Sequence, residues 1–351
     1  MPIDEFRIYQ GKGSPAVTPP QAPRALPLRQ RDKLTDPAGY KADAGLADAV
    51  NVALHLGQPL LLTGEAGTGK TLLARSLAWE LGFPMEVYEV KSTSTASDLF
   101  YTYNALAQFN VAQLEARRGL APAGDGAAIE SPERIALRYL RFNALGAAIV
   151  RASAREKVKH LFPDGFDHPG DPIRSVVLLD EIDKAPRDLP NDVLSALDSM
   201  AFTIPELGNS RVVADPAKRP VLVLTSNSEK ALPDPFLRRC IFYHIPFPTG
   251  EQLREIVTSR LGAMAQPGGL LDDALGLFDR LRKVAGLRKR PATAELLGWI
   301  VTLRAFQERS GTNPLRGTAE DVDRTLPCLV KTFEDLSLAR GEVERWISSR
   351  R

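Results

Sequence analysis

The stretch PLLLTGEAGTGKTLLARSLAWELG, Pro59–Gly82, sets a short apolar run, a glycine-rich turn with one lysine, and an amphipathic run in direct succession. QPLLLT reads as a short buried strand, and the segment from about Thr71 to Leu81, closed by Gly82, has helical spacing. Between them Gly64, Glu65, Ala66, Gly67, Thr68, Gly69, Lys70 and Thr71 satisfy the pattern GxxxxGK[ST] without a gap. In that setting glycines let backbone N–H groups wrap the oxygens of a triphosphate. Lys70 reaches the β and γ oxygens as a point charge, and the Thr71 hydroxyl at the helix start is a ligand for Mg²⁺. Leu72 completes the cofactor-binding run. The competing reading, a turn that merely links strand to helix, explains neither the lysine nor the threonine at their places.

Reading outward, SVVLLDEID is an apolar strand that ends on Asp180 and Glu181. Open α/β sheets place their ligand crevice at such strand ends. Asp180 is the expected partner of the Mg²⁺ shell, and Glu181 the group that orients or deprotonates an attacking water. Alone, two acids after a strand are as readily a solvated turn; a phosphate loop in the same chain changes that balance. PVLVLTSN ends the next strand on Asn227, an uncharged group suited to placing water beside Glu181. PDPFLRRC then presents Arg238 and Arg239 before a last strand, CIFYHIPF. A guanidinium there is suited to reach a neighbouring subunit's γ-phosphate, or else forms a basic solvated face. The spacing does not choose between the two arginines.

The 351 residues carry 45 Lys+Arg against 43 Asp+Glu, a formal net charge of +2, so no global basic field points to nucleic acid or an acidic membrane. Two cysteines, Cys240 and Cys328, form no pairing pattern, and the composition fits a reducing cytoplasm. Apolar runs such as Val176–Leu179 fall far short of the roughly 20 residues a membrane span needs, and no signal pattern opens the chain.

Residues 1–37 read as a Pro-rich flexible arm. Residues 38–248 alternate strands and helices, which predicts an α/β domain with a parallel sheet covered on both faces. An insertion at about 98–170 breaks the rhythm. It holds a helical SDLFYTYNALAQFNVAQLEARR, a loop GLAPAGDGAAIE, and a helix opened by Ser131, Pro132 and Glu133. After the second acid a helix is expected over about Asp188–Met200, and AFTIPELGNSRVV reads as a hairpin around Gly208 and Asn209. From Thr249, a helix cap, residues 249–351 read as an all-helical second domain.

Taken in order, GEAGTGKT, LLDEIDKAP, TSN and DPFLRRC resemble the AAA+ ATPases, and more narrowly their MoxR-like branch, over residues about 38–310. The insertion and the hairpin FTIPELGNSRVV are similar to that branch's helix-2 insert and pre-sensor hairpin. The resemblance implies a P-loop AAA+ core with a five-stranded parallel sheet of order 5-1-4-3-2, ATP and Mg²⁺ held beneath an all-α lid, and a homo-oligomeric ring, usually of six. It implies that each arginine finger completes the next subunit's site. It also implies a chaperone-like remodeller of partner proteins, often ones with von Willebrand factor A domains or metal cofactors. The branch's second sensor is an arginine near a lid helix start, where LRKRPATAELLGWI has Ala292 and Ala294. Arg290 is favoured for that role, with Arg288 beside it; the cluster Arg288, Lys289 and Arg290 reads equally as a solvated basic face.

Three readings keep these motifs. The first is an ATP hydrolase that does conformational work on a protein, the second a nucleotide-gated scaffold, the third a nucleic-acid-acting or GTP-dependent ring motor. Balanced charge and no nucleic-acid-binding motif disfavour the third. ATP over GTP rests on the resemblance, because the motifs read phosphates and metal only.

Overall fold

The computed structural model describes residues 36–117, 131–227, 230–262 and 269–350. Nearly all of the expected arm and the whole of GLAPAGDGAAIE lie outside the described residues. The chain divides into two compact units: Ala42–Gly64 with Lys70–Ile245, and Pro246–Arg351 with Glu65–Gly69 and the described part of Met1–Lys41.

The first unit is built on strands β1 (Leu60–Thr63), β2 (Met85–Glu89), β5 (Val176–Asp180), β8 (Val221–Thr225) and β9 (Ile241–His244). All pairings among them are parallel, in the order β2-β5-β8-β1-β9. Counted one to five along the chain, this is the expected order 5-1-4-3-2. Composition tells the central strands from the edge strands. β1, β5 and β8 are runs of Leu and Val buried on both faces, as central parallel strands require, whereas β2 and β9 alternate and sit at the edges. Asp43 caps the helix Ala44–Leu56 by accepting from the Leu46 N–H at 2.9 Å, and Gly57, at φ 63°, ends it and leads into β1.

Between β2 and β5 the helical reading from Ser97 is interrupted. β3 (Tyr101–Tyr103) pairs antiparallel with β4 (Leu140–Phe142), and only Ala105–Arg117 is a long helix. Aromatic packing overrides the helical spacing: Phe100 stacks on Phe202 at 5.1 Å, and the Asn143 amide donates to Asp98 O at 2.7 Å and Thr102 Oγ1 at 2.8 Å. Ser131 caps the helix Pro132–Leu137. The helix expected over Asp188–Met200 is two short ones, Leu189–Asp192 and Leu194–Ser199. The chain tightens at Val193 (φ −87°, ψ −10°) and reverses at Met200 (φ 44°). β6 (Ala201–Ile204) and β7 (Ser210–Val213) form the hairpin, with Gly208 and Asn209 at positive φ. One core joins the sheet to this segment through Leu61, Leu179 and Leu224 on one side and Leu145, Ile149 and Phe202 on the other.

In the second unit Thr249 and Gln252 form a reciprocal cap on the helix Gly250–Leu261. The helices Leu270–Lys283, Thr293–Ser310, Ala319–Asp323 and Phe333–Ser348 complete it, around Phe278, Trp299, Leu303 and Val343. Trp299 is fully buried because its indole N–H finds Thr325 Oγ1 at 2.8 Å. Buried Asp273 is neutralised by Arg316 at 2.7 Å and Arg350 at 2.5 Å.

Candidate active site

The turn after β1 needs left-handed backbone at Gly67 (φ 76°) and Gly69 (φ 95°), which only glycine adopts without strain. It delivers Lys70 as the first residue of the helix Lys70–Leu81. The lysine is buried, and its ammonium donates to Gly64 O at 2.8 Å across the turn. Burial lowers the Lys70 pKa, while Asp180, Asp183 and Glu181 pull it upward. Three carboxylates from a distant stretch of chain thus favour the charged form of Lys70.

Asp180 closes β5 beside that helix. Thr71 Oγ1 lies 3.2 Å from Asp180 Oδ1 and 3.0 Å from Oδ2, and donates its proton to the carboxylate. On the next strand Thr225 Oγ1 also donates to Asp180 Oδ1, and accepts the Glu181 N–H at 2.9 Å. Glu181 adopts φ 60° and ψ 49°, a left-handed conformation that costs a residue with a Cβ about 1–2 kcal/mol. Its carboxylate is fixed at both ends. Asn227 Nδ2 donates to Oε1 at 3.3 Å, and the Lys184 ammonium pairs with Oε2. Asn227 is itself tied back, its N–H donating to Asp183 Oδ2 at 3.2 Å.

Lys70, Thr71, Asp180, Glu181 and Asn227 are thereby brought together by the ends of three adjacent strands and one helix start. A hydroxyl and a carboxylate side by side form an all-oxygen donor set, which suits a hard divalent cation such as Mg²⁺. Among the described residues no group of three or more His, Cys, Asp or Glu side chains could hold a metal.

The arginines behave differently. Arg239 is engaged, its Nε donating to Asp198 Oδ2 at 3.0 Å and its Nη1 to Pro235 O at 3.1 Å. Arg238 is exposed and makes no side-chain hydrogen bond or ion pair among the described residues. Neither is bonded to Asp180 or Glu181.

In the second unit, Gly67 approaches Ala292 so closely that a Cβ on the glycine would lie 2.7 Å from the alanine's. Arg290 is exposed, and Arg288 pairs with Glu334 only at 3.9 Å. The arginine that does engage the loop segment is Arg282, whose Nη2 donates to Glu65 Oε2 at 2.8 Å. Its Nη1 donates to Pro291 O at 2.5 Å, and its guanidinium stacks 3.3 Å from the Phe247 ring centroid.

Sequence reasoning therefore missed Thr225, Lys184 and Arg282. The first two had a legible signal: Thr225 is the first polar residue after an apolar run, and Lys184 stands one turn after Glu181. Arg282 had none, because its partner lies 217 positions away.

A family model described as the AAA domain, dynein-related subfamily, matches residues 59–240. Among solved structures, a single-residue variant of Thermotoga maritima RuvB is similar at a TM-score of 0.43 and 17% identity, covering 80% of this chain and 67% of that one. The structure described as the Thermotoga maritima RuvB Holliday junction branch migration motor is similar at a TM-score of 0.40 and 15% identity, covering 85% of this chain and 67% of that one. The chain spans about two thirds of the length of these relatives. No curated protein matches. No helix among the described residues is long and apolar enough to cross a membrane.

Proposed function

This chain belongs to the AAA domain family, dynein-related subfamily, and from that premise we propose that it is a Mg²⁺-dependent ATP hydrolase of the MoxR-like type, working in a homo-oligomeric ring to remodel a protein partner. One observation carries the reading: Glu181, with Asn227 on its carboxylate, stands next to the Thr71–Asp180 pair and faces the charge of Lys70.

Lys70 and the loop N–H groups bind and orient the triphosphate. Thr71 and Asp180 would hold Mg²⁺, which would supply positive charge to the phosphate oxygens. Glu181 takes the proton of a water that Asn227 helps to place. The water oxygen bonds to the γ-phosphorus, the bond from that phosphorus to the β-γ bridging oxygen breaks, and ADP leaves with its electron pair. The acceptor Glu181 already makes two hydrogen bonds on its carboxylate, so its position costs no reorganisation at the moment of reaction.

An arginine of the segment Arg238–Arg239 supplies further charge to the site of the next subunit. The exposed, unengaged Arg238 suits that task better than Arg239, which Asp198 already holds. ATP as the nucleotide, a ring of six and a partner with a von Willebrand factor A domain follow from the MoxR-like resemblance of GEAGTGKT, LLDEIDKAP and DPFLRRC.

The test is Glu181→Gln. It removes the proton acceptor but keeps shape and hydrogen bonding, so nucleotide binding measured by calorimetry is expected to persist while ATP turnover is lost. Hydrolysis at the wild-type rate in that variant would remove Glu181 from its role.

A further inference from the structure

Thr225 lies at the last position of β8, a central strand, and its side chain is 1% exposed. Its hydroxyl sits between the two acids of the neighbouring strand end, and its proton is fully assigned by its partners. The Glu181 N–H can only donate, so Thr225 Oγ1 accepts there, at 2.9 Å. The Asp180 carboxylate can only accept when ionised, so the hydroxyl proton goes to Asp180 Oδ1. A single hydroxyl thus connects the side chain of one acid to the main chain of the other.

From this geometry we infer that Thr225 is a positioning residue for hydrolysis, the joint that sets the Asp180 carboxylate and the Glu181 backbone in one register. The inference rests on the hydrolase reading above. In an extended strand successive side chains leave on opposite faces, so two consecutive acids at a strand end would not serve one site. The left-handed turn at Glu181 (φ 60°, ψ 49°) breaks that alternation, and it is strained for a residue with a Cβ.

Two short tethers hold the turn, the Glu181 N–H to Thr225 and the Lys184 N–H to Glu181 O at 2.9 Å. β8 itself is pinned to the phosphate-loop strand, with Thr225 in register with Leu62 and the Ser226 N–H donating to Leu62 O at 2.9 Å. Thr225 is thus the link from β1, through β8, to both acids. Of the uncharged side chains this size, only Ser and Thr can accept a main-chain N–H and donate to a carboxylate from this position.

The test compares wild type with Thr225→Val, Thr225→Ala and Thr225→Ser, with folding followed by circular dichroism and thermal melting. Valine keeps the shape and removes the hydroxyl. We expect kcat to fall about tenfold or more in Thr225→Val while KM for ATP stays within about twofold, because the loop that grips the phosphates is untouched. Serine is expected to restore kcat to within about threefold of wild type.

A merely packed threonine predicts the opposite order, with valine near wild type and serine impaired; that result overturns the inference. Should Thr225→Val not fold, the Ser and Ala variants decide: a low kcat in Ala alone supports the joint, and equal kcat in both overturns it. Glu181→Gln is run alongside. Equal turnover in Glu181→Gln and wild type sinks the hydrolase reading itself, whereas loss in Glu181→Gln with full kcat in Thr225→Val sinks the Thr225 inference alone.

Discussion

The acids at the end of β5 and the arginines elsewhere in the chain are held in opposite ways. Asp180 and Glu181 together accept hydrogen bonds or ion pairs from Thr71, Thr225, Asn227 and Lys184. Arg238 and Arg290, by contrast, reach no partner within the described residues and are exposed. A carboxylate that must sit within hydrogen-bond reach of a reacting water is fixed by its own subunit before anything binds. Arg238 and Arg290 carry no such constraint. The difference separates side chains fixed by their own chain from side chains free to meet a group brought to them.

The most damaging way to probe the fixed half of the comparison is Lys70→Ala. Lys70 is the cation that Asp180, Asp183 and Glu181 face, and its Nζ bonds Gly64 O at 2.8 Å, so the change takes the turn's tie and its charge together. Fluorescent ATP-analogue binding and turnover should both drop below detection. Retained binding would show that backbone N–H groups alone suffice for the grip.

On the unbound half, Arg238→Ala is expected to lower kcat by about 10³-fold, the size of effect an arginine finger supplies. Arg239→Ala, which removes only an exposed pair with Asp198, should change kcat by no more than a few fold. Mixing provides a sharper form. Lys70→Ala subunits have no working site but intact fingers, and Arg238→Ala subunits the reverse. A mixture should recover turnover that neither variant shows alone, and failure to recover would mean that Arg238 acts within its own chain.

The same contrast explains what could be read from the letters. The sheet order came from the likeness of the ordered motifs to the AAA+ ATPases and not from spacing. Asp180, Glu181 and Asn227 were legible because each follows a switch from apolar to polar residues at a strand end, and Lys70 and Thr71 because the GxxxxGK[ST] run is unbroken. β3 was not, because Tyr101–Tyr103 is drawn from a helical spacing by rings at Phe100 and Phe202 that are 102 positions apart, a tertiary contact with no local trace. Arg282 was not legible either, for a related reason. Position 292 is a buried alanine facing Gly67, and the guanidinium that meets the loop segment comes from the preceding helix, at Arg282.

Arg282 therefore tests the intermediate case, a cation bound within its own chain yet paired with the phosphate loop. Its side chain is 12% exposed and that of Glu65 47%, so the pair is half in water and its coupling is expected near 0.5–1 kcal/mol. The aromatic stack on Phe247 and the bond to Pro291 O survive any change at Glu65, so Glu65→Gln loses only the ionic part. Arg282→Gln loses all three contacts and should raise KM for ATP about three- to tenfold with kcat within about twofold, if the pair only sets the shape of the loop. The double variant should be little worse than Arg282→Gln alone. A fall in kcat comparable to that of Arg238→Ala would instead move Arg282 among the groups that meet the transferring phosphate, and the boundary between fixed and unbound cations would have to be drawn through the helical unit.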